Sequence, residues 1–230
     1  MVTEAEKNKL LTQHLANYIT DHKKEFTERV LSLRTRYITV VLEGIVQAQN
    51  ASAVIRTCEC LGVQDVHVVE NETRYAVNKN VVKGSYKWID LIKYRTHATS
   101  GTQQCFEALK RKGYKILVTD PAPDGKSVFE IPVTEKIALV MGNELYGITD
   151  YARAHADEKV HIPMQGFTES LNISVSAALC LQALLPRIRN SVLPWQLTET
   201  EKDFIRLQWY RKMVRRVEIM EREFLKTLVG

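Results

Sequence analysis

Six short strand-type runs, separated by segments of helical period, most constrain what this chain can fold into. Thr39–Leu42, Val66–Val69, Trp88–Tyr94, Lys115–Thr119, Ile137–Met141 and Val160–Ile162 are rich in aliphatic and β-branched residues. Most of them are apolar on consecutive rather than alternate positions, which is the pattern of strands covered on both faces. Between them, residues 50–61 place Ala51, Val54, Cys58 and Leu61 on one helical face, with Gly62 as a stop and Asn50 as an N-cap candidate. Residues 102–111 read as a helix closed by Gly113, and residues 171–185 as one ended by Pro186. Strand and helix in alternation predict an α/β fold, a mostly parallel sheet with helices on both faces.

Helical extensions flank this core. Residues 4–36 recur at three-to-four spacing through Leu10, Leu11, His14, Leu15, Tyr18 and Ile19, and carry Lys23, Lys24, Arg29, Arg34 and Arg36. After Pro186 a linker leads to one long helix over about 198–228. Its stripe of Leu207, Tyr210, Val214, Val217, Phe224 and Leu228 is expected to dock on the sheet domain or on a partner subunit. Its other face, with Arg211, Lys212, Arg215 and Arg216, is either solvated or a grip on phosphates. The expected organisation is an N-terminal extension over 1–36, a sheet domain over 37–186, and a linker and helix over 187–230.

Composition narrows the function. The 230 residues, 45% hydrophobic, are enough for one substantial core, and a net charge of +5 is compatible with a polyanionic partner without requiring one. No window approaches a membrane span, and the charged first ten residues do not read as a secretion signal, so a cytoplasmic protein is expected. Cys58, Cys60, Cys105 and Cys180 lack zinc-site spacing and no H-E-x-x-H occurs, so reduced thiols and no metal are expected. No G-x-G-x-x-G follows the first strand, and the glycine spacing of Gly142 to Gly147 continues into Ile148 and Thr149 rather than Lys and Ser or Thr. Dinucleotide and P-loop chemistry are thereby disfavoured.

Three clusters remain, at places where an α/β sheet usually binds ligands. Asn50-Ala-Ser-Ala-Val-Ile-Arg56-Thr57 opens a helix, with Arg56 either on the surface or turned into a cleft to hold phosphate. Ala138-Leu-Val-Met-Gly142-Asn143-Glu144-Leu-Tyr-Gly147-Ile148 runs a buried strand into a tight turn bearing a carboxylate. His161-Ile162-Pro163-Met164-Gln-Gly166 is followed by Ser170-Leu171-Asn172-Ile-Ser174-Val-Ser176-Ala-Ala178, a strand end and a helix start built from small residues. Each alone is compatible with turn and packing chemistry.

Together and in this order, the clusters resemble the SPOUT superfamily of RNA methyltransferases, in its TrmH branch of 2′-O-ribose methylases. N-x-x-x-x-x-R-T, L-V-M-G-N-E-x-x-G-I and I-P-M-x-G-x-x-x-S-L-N-I-S-V-S-A-A carry the likeness, the third most specifically. It covers roughly residues 37–185, Gly84-Ser85-Tyr-Lys87-Trp88 included, and the flanks loosely. With only about 36 residues before the first strand, the tRNA-type members are the closer likeness.

The resemblance implies a C-terminal deep trefoil knot, a homodimer, and S-adenosylmethionine held by Thr119, Gly142, Ile162, Met164 and Leu171, largely through backbone groups. It places Arg56 beside the reactive ribose, oriented by Asn50, with Glu144, Ser170 and Asn172 lining the same pocket. Arg187 and Arg189, set one residue late by Pro186, and Arg34 and Arg36 are the RNA-binding candidates. The implied activity is methylation of a ribose 2′-hydroxyl, in tRNA ahead of ribosomal RNA, with a catalytically silent RNA binder as the alternative. Deprotonating an arginine at pH 7 costs on the order of 9 kcal/mol, which favours Arg56 as a cationic clamp over a general base. The chain departs from the family at Asn143, where many relatives have Ala, at Phe167-Thr168-Glu169, which replaces an apolar stretch ending in Gln, and in a thinner N-terminal arginine cluster.

Overall fold

The computed structural model describes residues 3–70, 75, 78–95, 100–121 and 124–229. In chain order the elements are α1 (Glu4–Ala16), α2 (Asp21–Ser32), β1 (Ile38–Glu43), α3 (Ala48–Cys60) and β2 (Asp65–Glu70). Next come α4 (Lys79–Val82), β3 (Asp90–Arg95), α5 (Gly101–Arg111), β4 (Tyr114–Thr119), β5 (Lys126–Ser127) and β6 (Lys136–Met141). The last are α6 (Asp150–His155), β7 (Glu158–His161), α7 (Ile173–Arg189), α8 (Glu199–Met213) and α9 (Val217–Val229). They form two compact units, Thr35–Trp195 and a second that joins the N-terminal helices to the residues from Gln196 onward.

In the first unit seven strands lie in the order β3-β2-β1-β6-β4-β7-β5. Every pairing among them is parallel. β1 and β2 are buried at all positions, as a sheet covered on both sides requires. Alternate residues feed two cores. Val40, Leu42, Val66, Leu117, Ile137 and Leu139 pack with Val54 and Ile55 of α3 and Leu181 and Leu184 of α7. Val41, Val69, Ile116, Val118 and Val140 pack on the other face with Phe106 and Leu109 of α5 and Ala152 of α6. β1 to β3 step outward in one direction, whereas β4 lies on the other side of β1, with β6 inserted between them. Such a switch in direction opens a crevice at the carboxyl ends of the strands. Here it falls at Glu43, Thr119 and Met141.

Several local expectations shift. α3 begins at Ala48 with Gln47 as its N-cap, so Asn50 is a helix residue and not the cap. The third-motif helix runs through Pro186 to Arg189. The proline has no N–H to offer the preceding turn, and its ring crowds that turn's carbonyl. Core packing of Leu184, Leu185 and Ile188 nonetheless carries the helix past it, and the Pro186 carbonyl accepts the Asn190 N–H at 3.0 Å. The strand after the Ser85–Lys87 turn starts at Asp90 rather than Trp88. Cys58, Cys105 and Cys180 are buried and Cys60 is exposed.

In the second unit the expected N-terminal helix is two, broken between Ala16 and Asp21, and the expected C-terminal helix is two, α8 and α9. Val214 turns extended and Arg216 takes a left-handed φ of +52°, which interrupts the apolar period. Thr3 with Glu6, and Thr198 with Glu201, form capping boxes that fix where α1 and α8 begin. The stripe of Leu207, Tyr210 and Val214 packs on Leu11, Leu15 and Ile19, so its partner is the N-terminal extension. Arg34 is 1% exposed, with its guanidinium 5.3 Å from the Trp209 ring. That burial removes it from the phosphate-binding candidates. Among the described residues no helix is long and apolar enough to cross a membrane.

Under the sheet, His67 of β2 is 1% exposed, and its Nδ1 lies 3.0 Å from the Tyr94 hydroxyl. Burial, followed by the charge of Lys112, holds its pKa down to about 4. A base whose folded pKa is depressed stays neutral in the fold while the unfolded chain takes up the proton, so stability is lost as pH falls from about 6.5 towards 4. The loss at the acid end is on the order of 3 kcal/mol. Urea denaturation of His67→Phe across this range should show a flatter pH dependence than the wild-type chain.

Candidate active site

The crevice at the switch is a cavity of about 560 Å³, lined from the ends of β4, β6 and β7 and from the starts of α3 and α7. Its size suits a small cofactor. β6 delivers Met141 into the turn Gly142–Gly147, and the turn is closed by backbone bonds from Asn143 N–H to the Gly147 carbonyl at 2.7 Å and back at 2.9 Å. A Cβ on Gly142 would lie 2.5 Å from Gly147 C and Ile148 N, so no other residue fits there. Gly147 supplies the left-handed φ of +70°.

The departure at Asn143 now has a structural account. Its Oδ1 accepts the N–H groups of Leu145 at 2.7 Å and Tyr146 at 3.1 Å. Its Nδ2 donates to the Gly44 carbonyl at 2.7 Å. The side chain therefore caps the turn from within and ties it to the end of β1, which Ala cannot do.

From this turn a relay of polar side chains joins the three motifs. The Asn50 amide donates to Glu144 Oε1 at 2.9 Å, and the Val46 N–H approaches Oε2 at 3.4 Å. Asn50 Oδ1 accepts from Asn172 Nδ2 at 3.2 Å. Asn172 is the N-cap of α7, and its Oδ1 accepts the Ser174 N–H at 2.9 Å and the Ser174 hydroxyl at 2.7 Å. Because α3 starts two residues before Asn50, the amide serves Glu144 and Asn172, with a further bond to Gln47 Oε1 at 3.2 Å, rather than a cap. That is the chemical content of the corrected helix start.

Of the expected site residues, Asn50, Glu144, Ser170, Asn172, Thr119, Gly142, Ile162, Met164 and Leu171 all line this cavity. Thr119 is anchored by its hydroxyl, which donates to the Val140 carbonyl at 3.0 Å. Arg56 is exposed further along α3 and is not among the described residues lining the cavity. The remaining arginines work within the fold. Arg36 bridges Asp65 at 2.9 Å and Asp90 at 2.7 Å. Arg187 donates to the Ile131 carbonyl at 2.6 Å. Arg189 donates to the Leu61 carbonyl at 2.7 Å, and burial lowers its pKa. A half-buried guanidinium must find such acceptors, so part of each of these groups is used within the fold.

Among the lining residues outside the three clusters are Gln47, Asp120 and Pro121. Asp120 is 7% exposed and paired with Arg153. Its place directly after Thr119 was the available clue. His161 Nδ1 is buried without a hydrogen-bond partner among the described residues. Glu144 and Glu169 add carboxylates to the lining, while Ile162, Met164 and Leu171 supply apolar wall. The described residues hold no cluster of His, Cys, Asp and Glu suited to a metal ion.

The comparisons agree with one another. The SpoU rRNA Methylase family matches residues 37–182. The tRNA (guanosine(18)-2′-O)-methyltransferase of Borreliella burgdorferi is 42% identical over 207 residues, covering 90% of this chain and 93% of its own. The protein of the same name from Thermus thermophilus is 33% identical over 162 residues, covering 70% of this chain and 81% of its own. Among solved structures, the Aquifex aeolicus TrmH/SpoU tRNA modifying enzyme superposes with a TM-score of 0.74 at 27% identity, covering 85% of this chain and 98% of that one.

Gly142→Ala should be among the most damaging single-methyl changes in the chain, because the clash is with backbone that cannot rotate away. The expected loss of stability is about 1–3 kcal/mol, measured by chemical denaturation. Gly166→Ala, whose Cβ would lie 4.0 Å from the Thr168 nitrogen, should cost little in the same assay.

Proposed function

Since this chain belongs to the SpoU rRNA methylase family, we propose that it transfers a methyl group from S-adenosylmethionine to the ribose 2′-hydroxyl of a guanosine in tRNA. The observation that carries this reading is the unbroken relay Glu144–Asn50–Asn172, which ties all three motifs to one cavity. Relatives at 42% and 33% identity bear the tRNA name, so a ribosomal RNA target is the weaker reading. A binder without turnover has no need of the full relay, which speaks against the silent alternative.

The residues present suit the donor. Gly142 lines the cavity with backbone alone, because a Cβ there would meet Gly147 and Ile148. Ile162, Met164 and Leu171 supply apolar wall for an adenine ring and exclude water. S-adenosylmethionine supplies an electrophilic methyl on a cationic sulfonium, and the carboxylates of Glu144 and Glu169 leave the cavity lining acidic. Glu144 and Asn172 hold the Asn50 amide from both sides, which fixes the orientation of a ribose placed against it. Arg56, exposed on the same helix, stays cationic, clamps the neighbouring phosphate and stabilises charge developing on the 2′-oxygen.

The reading includes the family's trefoil knot and a homodimer. The insertion of β6 between β1 and β4 goes with the first, and exposed Leu145, Leu171, Val175 and Leu179 go with the second. A cytoplasmic setting fits an enzyme of tRNA.

Incubation with labelled donor and either total tRNA or ribosomal RNA, followed by mass spectrometry of nucleosides, should place label in 2′-O-methylguanosine of tRNA. Absence of label from both RNA pools, or calorimetry without affinity for the donor, would end the proposal. Arg56→Lys should lose at least about tenfold in rate at pH 7, because a compact ammonium cannot grip phosphate bidentately. Its rate should not climb as pH nears the lysine range. A near-normal rate that rises with pH would instead make this position the general base.

A further inference from the structure

We infer that Glu43, a carboxylate outside the cavity, is a positioning residue that holds the Gly142–Gly147 turn so that Glu144 meets Asn50; the inference rests on the methyl-transfer reading above. Glu43 ends β1 and is 1% exposed. No lysine or arginine pairs with it among the described residues, yet burying a carboxylate without compensation is costly. Three donors compensate. Oε1 accepts the hydroxyls of Thr102 at 2.6 Å and Thr149 at 2.7 Å, and Oε2 accepts the Thr149 N–H at 3.0 Å.

The donors are themselves fixed. Thr149 is the N-cap of α6, and its oxygen accepts the Ala152 N–H at 3.1 Å, so its one hydrogen is free to go to Glu43. Thr102 reaches Glu43 because Gly101 lets α5 start against the sheet. A Cβ there would lie 3.2 Å from Val69 Cγ1 and 3.3 Å from the Tyr94 carbonyl.

Glu43 thereby holds the chain just after the turn, while the next residue, Gly44, holds its beginning through the Asn143 amide at 2.7 Å. Two consecutive residues at the tip of β1 clasp both ends of the segment that carries Glu144. The groups Glu144 meets, Val46 N–H and Asn50, follow directly from the same strand tip. One anchor therefore sets both sides of that contact. Nothing in the three motifs includes Glu43.

Glu43→Gln keeps the shape but brings a donor where only acceptors serve. In the full chain it should lower kcat on the order of tenfold, with the KM for tRNA unchanged. Put into a Glu144→Ala background, the same change should cost less than about twofold, because the contact it supports is already gone. Hydrogen exchange should quicken across residues 142–149 and not across β2 or β4. An equal loss in both backgrounds, a uniform rise in exchange, or an unaltered kcat would each overturn the assignment. Should E43Q not fold, Thr149→Val removes one donor and should show the same pattern, and Thr149→Ser, which keeps the hydroxyl, should restore the rate. If the wild-type protein fails to bind donor, the methyl-transfer reading falls, while the exchange data still decide whether Glu43 holds the turn.

Discussion

The backbone of residues 142 and 147 passes too closely for any Cβ between them, and the rest of the site is arranged around that contact. Because the turn is that tight, Asn143 can hydrogen-bond three backbone groups at once, and Glu144 leaves the turn in a fixed direction. Asn50 and Asn172 then complete a path across helices that lie 122 residues apart in sequence. None of these bonds is individually strong; each contributes about 1 kcal/mol net. Their value is geometric, since each removes a rotation from the side chains that line the cavity.

Much of the architecture was legible because a parallel sheet buries both faces of its strands, and strands such as Thr39–Leu42 and Ile137–Met141 can only read as apolar runs. The three motifs were legible for a related reason. Glycines that a Cβ would disrupt, and polar side chains at strand ends, leave little freedom in residue type. The strand order was not legible. Inserting β6 between β1 and β4 is a decision made by long-range packing, and local patterns carry no trace of it.

Misread details share one cause, in which tertiary contacts override local propensity. Asn50 is a good cap by residue type, but α3 begins at Ala48 and frees its amide for Glu144. Pro186 looks like a terminator, yet the packing of Leu184, Leu185 and Ile188 in the core carries the helix on to Arg189. Arg34 sits in a basic stretch that reads as surface, and is instead buried beside Trp209. Asn143 was visible as a substitution, while its meaning lay in the Gly44 carbonyl, 99 residues distant.

The late insertion of β6 also bears on how the chain is made. Translation delivers β1 to β3 first, so β1 presents a bare hydrogen-bonding edge from residue 43 until β6 emerges at 136–141, and β4, complete at Thr119, joins it only for the last part of that interval. Unpaired edges of apolar strands are templates for association with other chains. A nascent chain of this topology therefore spends the synthesis of about half its length with its central seam open.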